Sequence, residues 1–462
     1  MIKKYIGDRA FYRRLLAVMI PVLIQNVITN FVSLLDNVMV GRIGTEPMSG
    51  VAIVNQIFFI FNISIFGGLS GAGIFTAQYY GKQDNEGIRN SMRAKIWIAF
   101  GISVTAAAVM IAFGDQLISL FIHEGEEDLD LTAALEYGKS YMKIMLLQIP
   151  PFALLNVYSD TLRGTGETRL PMVSGVIAVG VNLFFNYMLI YGKMGAPELG
   201  VVGAAIATVL ARFVECGIVV CKTHFVRNRN TRYIEGVYRT LKVPRDVWKQ
   251  IVKLGSPLLI NEFLWSGGMT TLNQVMSMRG LEVVSAENIC RTVSDLFFCS
   301  FFAMGTTISI IVGQLLGAGE TERAVDEDRK LIAFSVSLCG IVGLVMIFLS
   351  SYIPNIYNTT PVVKKLAASM LIVNAVMMPS NAFTNACYFT IRSGGKTIIT
   401  FLFDSMYLWV LSIPITLALV KLTNLTIIPI YIISYGLDIV KCIAGYILVK
   451  KRIWVNNLVA GE

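Results

Sequence analysis

Two carboxylates stand inside long apolar stretches of this sequence, where charged side chains are rare. Asp36 lies near the end of an apolar run that begins at Leu15, and Glu262 lies about eleven residues into the run 251–277. A charge at the centre of a bilayer costs about 2.5–3.5 kcal/mol on insertion scales, so it is normally kept for a function. A carboxylate in such a place can carry a proton, or it can hold Na⁺ with the help of neighbouring amides. Asp36 and Glu262 are therefore candidate cation-coupling residues; for Asp36 a structural role at the outer rim of its helix stays open.

Amide side chains supply candidate partners for Asp36. Asn182 and Asn186 in "VNLFFNYMLIYG" are four residues apart and therefore share one face of a predicted helix. We predict that they take part in cation coupling, although paired amides also hold membrane helices together. Asp404 in "FLFDSMYLW" has no Lys or Arg at helical spacing. It is a further candidate for cation coupling, with a snorkelling position at the membrane surface as the alternative.

Opposite charges also occur at helical spacing on three predicted helices. The pairs are Arg291 with Asp295, Arg212 with Glu215, and Asp438 with Lys441. Such pairs compensate each other on a helix face, which favours a structural role. We predict that Arg291 and Asp295 are the pair best placed to act as a gate.

Aromatic and methionine side chains are candidates for the walls of a substrate pocket. Thioethers repack easily and aromatic faces attract positive charge, so both suit varied cationic ligands. Membrane helices are rich in these residues in any case, so their abundance discriminates little. The candidates are Phe58, Phe59, Phe61, Met269, Met276 and Met304.

The composition is that of a chain that crosses a membrane many times. Of its 462 residues 55% are hydrophobic and 15% are charged, whereas a soluble domain carries about 25% charged residues. Apolar runs of spanning length follow one another along the chain. We predict an all-α polytopic membrane protein with twelve transmembrane helices. Their approximate positions are 15–40, 48–80, 95–122, 137–160, 170–191, 199–221, 251–277, 283–316, 331–353, 366–390, 397–420 and 426–449.

Loop charges predict the orientation of these helices. The N-terminus, the loop 82–95, the segment 222–253 with its nine Lys and Arg, and the C-terminal 450–452 are basic and lie on one side. The segment His123–Asp130 on the other side has five acids and no Lys or Arg. Basic loops stay in the cytoplasm, so we predict both termini inside, in a bacterial inner membrane. The net charge of +9 is then a topology signal and not a nucleic-acid footprint.

The sequence repeats itself. Residues 21–84 align without a gap to residues 257–320, an offset of 236, with Pro, Asn, Gln and Gly matching in one register. Further on the offset is 229, where "RGTGET" (Arg163–Thr168) matches "RSGGKT" (Arg392–Thr397). Matches of these residue types in one register indicate a duplicated unit rather than shared apolar composition.

Two parallel repeats predict two pseudo-symmetric six-helix bundles, related by an axis along the membrane normal. The predicted lobes are 1–221 and 251–462, joined by a basic linker at 222–250. This layout is typical of a transporter that rocks between two states, whereas a channel is more often a symmetric oligomer around a filter. A monomer suffices for such a design.

The sequence offers little for catalysis. Its seven Cys are scattered without a CxxC pair, its two His lie in polar loops, and no spacing fits a metal site. "RGTGET" lacks the Gly-Lys-Ser/Thr ending of a phosphate-binding loop and is interpreted as a turn between the fourth and fifth helices. We expect no enzyme activity, no catalytic residue, no cofactor and no bound metal, so transport would draw on an ion gradient.

Several motifs together resemble those of the multidrug and toxic-compound extrusion (MATE) family. They are Pro21 with "DNVMVG" (36–41), the paired runs "AQYYGKQD" (77–84) and "GQLLGAGE" (313–320), "LRGTGET" (162–168) and "NEFLWSGG" (261–268). The resemblance extends over essentially the whole chain, including the six-plus-six layout. It implies an antiporter that exports organic cations or other amphipathic compounds in exchange for H⁺ or Na⁺.

The resemblance also bears on the site residues. It implies a cation-coupling carboxylate at Asp36 and an acid on the seventh helix, which Glu262 matches in type rather than in strict register. Asn186 stands where some members carry an acid, and Asn381 and Asn385 occupy the tenth helix, where some branches carry one. The chain departs from the family pattern at those positions.

The expected partners are a small amphipathic substrate and membrane lipids, without nucleic acid. The same superfamily includes flippases of lipid-linked sugars, and such a flippase is the alternative function. A flippase for an anionic precursor predicts a cavity ringed by Arg and Lys, whereas the charges that the sequence places inside its helices are mainly acidic or paired.

Overall fold

The computed structural model describes residues 4–119, 131–226 and 228–460, and within these ranges the chain is helical without a β-strand. Each of the twelve predicted apolar runs overlaps a helix, and the last three residues of the run 95–122 lie outside the described residues. The helices are α1 (Arg9–Gly41), α2 (Thr45–Lys82), α3 (Asn85–Ser119), α4 (Leu131–Met145 and Ile149–Gly164), α5 (Arg169–Ile190), α6 (Gly200–Phe225), α7 (Arg245–Ser277), α8 (Leu281–Gly317), α9 (Thr321–Leu349), α10 (Pro361–Ser393), α11 (Thr397–Leu422) and α12 (Ile427–Lys450). The acidic segment His123–Asp130 lies outside the described residues.

Ten of these helices are long and apolar enough to cross a bilayer, by length and composition. The other two are α4 and α7. α4 consists of pieces of 15 and 16 residues joined by a 3-10 turn, and α7 carries Asn261 and Glu262 inside its apolar stretch. Both lie where the sequence predicts a spanning helix.

α11 departs from regular geometry where it carries Asp404. Two π-helical turns, Leu402–Met406 and Leu408–Ser412, interrupt the helix. A π turn accommodates one extra residue and is frequent at functional positions. Asp404 therefore lies in a π-helical turn, a geometry that is more frequent at functional positions than elsewhere in helices.

Contacts divide the chain into two compact units. The first unit contains Met1–Leu23, Ala77–Asp84 and Val252–Glu462, and the second contains Ile24–Thr76 and Asn85–Ile251. A division near residue 251 separates the two repeats, but two segments of the first repeat group with the second. The predicted lobe boundaries at 221 and 251 stay a prediction.

The start of α1 is built into the core of the first unit. Leu15 and Met19 pack with Met304 and Ile311 of α8, and Leu15, Met304 and Ile311 are at most 1% exposed. Burying such side chains stabilises by about 1.5–3 kcal/mol each, which ties the first turns of α1 to this unit.

The paired "QYYG" and "QLLG" motifs allow α2 and α8 to cross at backbone distance in the first unit. A Cβ on Gly81 would lie 1.9 Å from the carbonyl oxygen of Gln314, and a Cβ on Gly317 would lie 1.9 Å from that of Gln78. Only glycine, which lacks a Cβ, is compatible with this crossing. The contact is reciprocal, as expected for two copies of one repeat.

Equivalent turns of the two repeats share a left-handed backbone. Gly166 has φ +82° and its repeat partner Gly395 has φ +73°. L side chains rarely adopt this conformation, which explains a glycine in both "RGTGET" and "RSGGKT". The turn predicted between α4 and α5 is present at this position.

The basic linker is anchored along α3. Arg89, Arg93 and Trp97 follow one another at intervals of four on α3, and their side chains donate to the carbonyl oxygens of Tyr233, Val237 and Leu241 at 3.0, 2.9 and 3.0 Å. Residues four apart share a helix face, so the linker lies along one side of α3. This corrects the predicted loop 82–95: α3 begins at Asn85, because its polar first turns bind the linker.

Candidate cation-coupling sites

The structure brings Asp36, Asn182 and Asn186 together in the second unit. Asn186 Nδ2 on α5 donates to Asp36 Oδ1 at 2.6 Å and to Asn182 Oδ1 at 3.1 Å. Asn182 donates in turn to Thr208 Oγ1 of α6 at 3.3 Å. The spacing of four on α5 therefore places both amides on the side that meets the carboxylate of α1.

This group is rich in oxygen atoms. Asn182 and Asn186 are buried, whereas Asp36 is half-buried. The Oδ1 of Asn186 has no hydrogen-bond partner among the described residues. The hydroxyl of Tyr141 on α4 lies close to Asp36 and Thr208. Carboxylate and amide oxygens are the ligands that hard cations prefer, so a carboxylate beside these amides suits an entering cation.

Arg212 and Glu215 form an ion pair on α6, as their spacing predicts. Arg212 Nη1 lies 2.9 Å from Glu215 Oε2, and its guanidinium carbon stands 5.5 Å from the centre of the Phe152 ring. Arg212 also acts electrostatically on Asp36. Asp36 itself, however, accepts its short hydrogen bond from an amide, so Asn186 is its direct partner.

Glu262 lies in the first unit, beside α10. It is half-buried on α7, close to Tyr388 and within electrostatic reach of Arg392 and Asp404. The adjacent Asn261 is 1% exposed and donates to Tyr388 Oη at 3.3 Å and to Asp404 Oδ2 at 3.2 Å. Glu262 thus belongs to a polar group formed by α7, α10 and α11.

Asp404 has a cationic partner from another helix. Lys441 Nζ of α12 lies 2.6 Å from Asp404 Oδ1, and the two side chains are 16% and 15% exposed. This corrects the predicted pairing of Lys441 with Asp438, which is only within electrostatic reach. A tertiary contact between α11 and α12 prevails over the contact within α12. Because Lys441 compensates its charge, Asp404 is less suited to bind a further cation than the sequence suggests.

The candidate residues therefore fall into two groups, one in each unit. Asp36, Asn182 and Asn186 belong to the second unit, and Glu262 and Asp404 to the first. Within the described ranges no three His, Cys, Asp or Glu side chains cluster so that they could hold a metal ion. Single carboxylates with amides and hydroxyls are groups that exchange a proton or bind Na⁺.

Arg291 and Asp295 are exposed on α8. Arg291 acts electrostatically on both Asp295 and Glu287, and its Nη2 donates to Asn288 Oδ1 at 3.4 Å. Compensation of charge along this helix agrees with the spacing. The role of Arg291 and Asp295 as a gate stays a prediction.

The candidate wall residues divide according to helix face. On α2, Phe58 and Phe61 are 4% and 2% exposed and meet edge to face, whereas Phe59, one residue on from Phe58, is 44% exposed. Met276 is 1% exposed in a core of the first unit, against which Met269 packs. Phe58, Phe61, Met276 and Met304 are buried, and the role of the candidates as a substrate wall stays a prediction.

Arg163 is a half-buried anchor that the sequence suggests only as part of a turn. Its Nη2 donates to Gln25 Oε1 of α1 at 2.7 Å, and Asp160 and Glu215 act on it electrostatically. Its repeat partner is Arg392, which lies near Glu262. The match of the two arginines at an offset of 229 is the signal that could have identified them.

Each repeat also buries a charge of its third helix against an equivalent threonine. In the first repeat, Lys95 is fully buried, 2.6 Å from Asp160 Oδ2 and 3.2 Å from Thr161 Oγ1. In the second, Thr390, the repeat partner of Thr161, donates to the buried Asp328 at 2.6 Å. The charge differs in sign, so the repeat alignment alone cannot predict it.

Paired six-helix repeats with half-buried carboxylates inside apolar helices define a polytopic membrane transporter. The model of the MatE family matches the chain twice, over residues 21–188 and 257–419, which is more than half of its length. The two matches begin at the residues that begin the repeat. The chain therefore belongs to the MATE family.

A curated relative covers most of the chain. The probable multidrug resistance protein NorM of Thermotoga maritima is 25% identical over 414 residues, which are 88% of this chain and 86% of that protein.

Solved MATE structures share the fold. An outward-facing multidrug resistance MATE family transporter of the MOP superfamily has a TM-score of 0.86 at 20% identity, covering 98% of this chain and 97% of that one. A Vibrio cholerae MATE transporter has a TM-score of 0.85 at 16% identity, and the match covers 97% of this chain and 98% of that one. A MOP superfamily transporter from Pyrococcus furiosus has a TM-score of 0.85 at 20% identity, and the match covers 98% of this chain and 97% of that one. The predicted fold class of twelve helices in two bundles is confirmed.

Proposed function

We propose that this MATE family transporter is a secondary antiporter that exports organic cations or other amphipathic compounds in exchange for H⁺ or Na⁺. The observation that carries the proposal is the group around Asp36, where a half-buried carboxylate adjoins a buried amide oxygen of Asn186 to which none of the described residues donates. The name of the Thermotoga relative, a probable multidrug resistance protein, supports the class of substrate.

In the proposed cycle, Asp36, Glu262 or both take up H⁺ or Na⁺ from the outer side. A neutralised carboxylate holds a cationic substrate less firmly, so ion and substrate bind with negative coupling. The two bundles then rock and open the opposite face. Near Glu262, Tyr388 and Arg392 supply a hydroxyl and a positive charge that stabilise the carboxylate once the ion has left.

The proposed setting is a bacterial inner membrane, with both termini in the cytoplasm and a monomer as the working unit. The distribution of basic residues supports it, since the linker 222–250 and the C-terminal end of α12 fall on one side.

The test is transport of a fluorescent organic cation into proteoliposomes under an imposed H⁺ gradient or an imposed Na⁺ gradient. One gradient should drive transport, which identifies the ion. Asp36→Asn or Glu262→Gln should lower the driven rate at least tenfold, because an amide neither takes up a proton nor carries charge. Glu282→Gln, on an exposed acid at the start of α8, is the matched control and should transport normally. Full transport by Asp36→Asn and by Glu262→Gln would refute the scheme.

A flippase for an anionic lipid-linked precursor is the second candidate. The Pyrococcus furiosus transporter is described with reversed polarity of its binding pocket and a different function, so the fold does not fix the charge of a substrate. The buried Lys95 and the half-buried Lys441 favour this candidate, but each is paired with a carboxylate, Asp160 or Asp404. Proteoliposomes that move a fluorescent pyrophosphate lipid, and no organic cation under either gradient, would make the flippase the better account.

A further inference from the structure

A cavity of about 960 Å³ opens between the end of α6 and the linker, within the second unit. Its lining includes His224, Arg229, Arg232, Gly236, Tyr238 and Arg239. Ligand pockets in proteins usually measure about 300–1,000 Å³, so the space suits a small molecule or a headgroup. None of these residues belongs to the two candidate cation-coupling groups.

The cavity is preformed, because α3 fixes its backbone. Arg93 is 3% exposed and donates to the carbonyl oxygens of Gly236 and Val237 at 3.0 and 2.9 Å, while Glu86 and Asn90 accept from its remaining nitrogen. Gly236 has φ +92°, a conformation that suits glycine. A ligand would therefore bind without first ordering the linker.

The side chains around the cavity are predominantly basic. Three guanidinium groups line it, and Glu235 is the acidic residue among the described lining residues. Guanidinium groups bind phosphate oxygens through paired, charge-assisted hydrogen bonds. A cavity with this lining favours an anion with several oxygen atoms.

Two hydroxyl groups and an imidazole form a hydrogen-bonded group at this cavity. Tyr158 Oη lies 2.9 Å from His224 Nε2 and 2.5 Å from Tyr238 Oη. Burial raises the pKa of the Tyr238 phenol, so it keeps its proton at neutral pH. Tyr158 belongs to α4, His224 to α6 and Tyr238 to the linker, so the three side chains join these segments at the cavity.

Apolar side chains are exposed beside this basic lining. Phe225 and Val226, which follow His224, are 83% and 52% exposed, and Trp97 of α3 is 46% exposed with its Nε1 bonded to Leu241 O. Trp side chains are enriched at the membrane–water interface, and apolar side chains at a helix end can contact acyl chains there. Acyl chains could therefore lie against Phe225 while a headgroup enters the cavity.

We propose that this cavity binds a phosphate-bearing anion, either the headgroup of an anionic phospholipid or a free phosphate ester. The proposal does not depend on the coupling ion or on the exported substrate. It adds to the transporter an anion site outside its candidate cation-coupling groups.

The test uses the purified full-length protein and native mass spectrometry, which counts bound phospholipids. Dioleoyl phosphatidylglycerol is one probe, dioleoyl phosphatidylethanolamine the zwitterionic comparison, and glycerol phosphate the soluble probe. The variant Arg229→Gln/Arg232→Gln removes two charges from the cavity. The control Lys242→Gln/Lys249→Gln removes two exposed charges nearby that do not line it.

We expect the cavity variant to weaken phosphatidylglycerol binding about tenfold or more, because it removes two cations near the anionic headgroup. The control should bind as the unmodified protein does. Saturable binding of glycerol phosphate, lost in the cavity variant alone, would identify a soluble phosphate ester as the ligand. Equal weakening by both variants would show attraction by overall charge and overturn the proposal. So would the absence of binding by both anionic probes. All variants should share the thermal unfolding midpoint of the unmodified protein, since the substituted side chains are exposed.

Discussion

The ion pairs of this transporter differ in how much of their charged side chains is exposed to solvent. Lys441 and Asp404 lie 2.6 Å apart and are at most 16% exposed, whereas Lys139 and Asp115, 2.8 Å apart, are 32% and 67% exposed. Breaking a buried ion pair leaves a charge without solvent and costs about 3–5 kcal/mol, whereas an exposed pair contributes about 0–1 kcal/mol. The N–O distances are similar in the two pairs, so the difference in burial decides how much each pair contributes to stability.

Lys441→Met should therefore destabilise the protein by more than the contribution of an exposed pair, about 0–1 kcal/mol, because it leaves Asp404, whose side chain is 15% exposed, without its cation. Adding Asp404→Asn should recover most of that loss, since the amide removes the stranded charge while Asn261 remains beside it. The measurement is the thermal unfolding midpoint of the purified protein in detergent. Lys139→Met is the matched control and should change it little. An unchanged midpoint for Lys441→Met would show that Asp404 is solvated or paired elsewhere.

At the scale of helices, the crossing of α2 and α8 depends on two glycines of the repeat. Gly317→Ala would place a methyl group 1.9 Å from the carbonyl oxygen of Gln78 and 2.4 Å from its carbon. Backbone atoms cannot rotate away as a side chain can, so the two helices must move apart. We expect a clear fall in the thermal unfolding midpoint and a loss of transport, although alanine itself favours a helix by about 1 kcal/mol over glycine.

Gly101→Ala on α3 is the control for this substitution, since nothing lies within 4 Å of the added Cβ. It should be neutral or slightly stabilising. If Gly317→Ala proved as stable and active as Gly101→Ala, α2 and α8 would not cross at backbone distance in the working protein.

The helices show which parts of the site a sequence can predict. Periodicity fixes the face of a helix, which is why Asn182 and Asn186 could be placed together, and the repeat fixes the turn glycines. A partner on another helix is set by packing, so the contact of Asp404 with Lys441, 37 residues apart, leaves no local pattern. The same reason hides the bond from Arg163 to Gln25. Residue type alone does not distinguish a core position from a pocket wall at Phe58 and Met276, because aromatic and methionine residues fill cores as well as pockets.

Across the whole molecule, the two repeats have kept their framework and changed their polar residues. At the offset of 236, Asp36 corresponds to Leu272, which is buried in a core of the first unit, and Glu262 corresponds to Asn26. The glycine turns and crossings, by contrast, are retained in both copies. The duplicated parts therefore serve the fold, and the two carboxylates lie where the copies differ, as expected of a transporter whose bundles play unequal roles.

The orientation of the whole molecule follows from the positions of its basic segments and is open to a direct test. Lys242 lies in the linker before α7, and Asn424 lies in the turn between α11 and α12, five helices further on. An odd number of spans puts the two positions on opposite sides of the membrane. Because basic segments stay in the cytoplasm, Lys242 should be inside and Asn424 outside.

Single-cysteine variants Lys242→Cys and Asn424→Cys, in a protein whose seven native cysteines are replaced, should react differently with a membrane-impermeant maleimide. We expect Asn424→Cys to be labelled in intact cells and Lys242→Cys only after the membrane is permeabilised. Active transport by both variants is the control for correct insertion. The reverse labelling pattern would mean that the orientation of the transporter in the membrane is inverted and that the anion-binding cavity lies at the outer face. The positive charge of the linker would then serve ligand binding and would not be a topology signal.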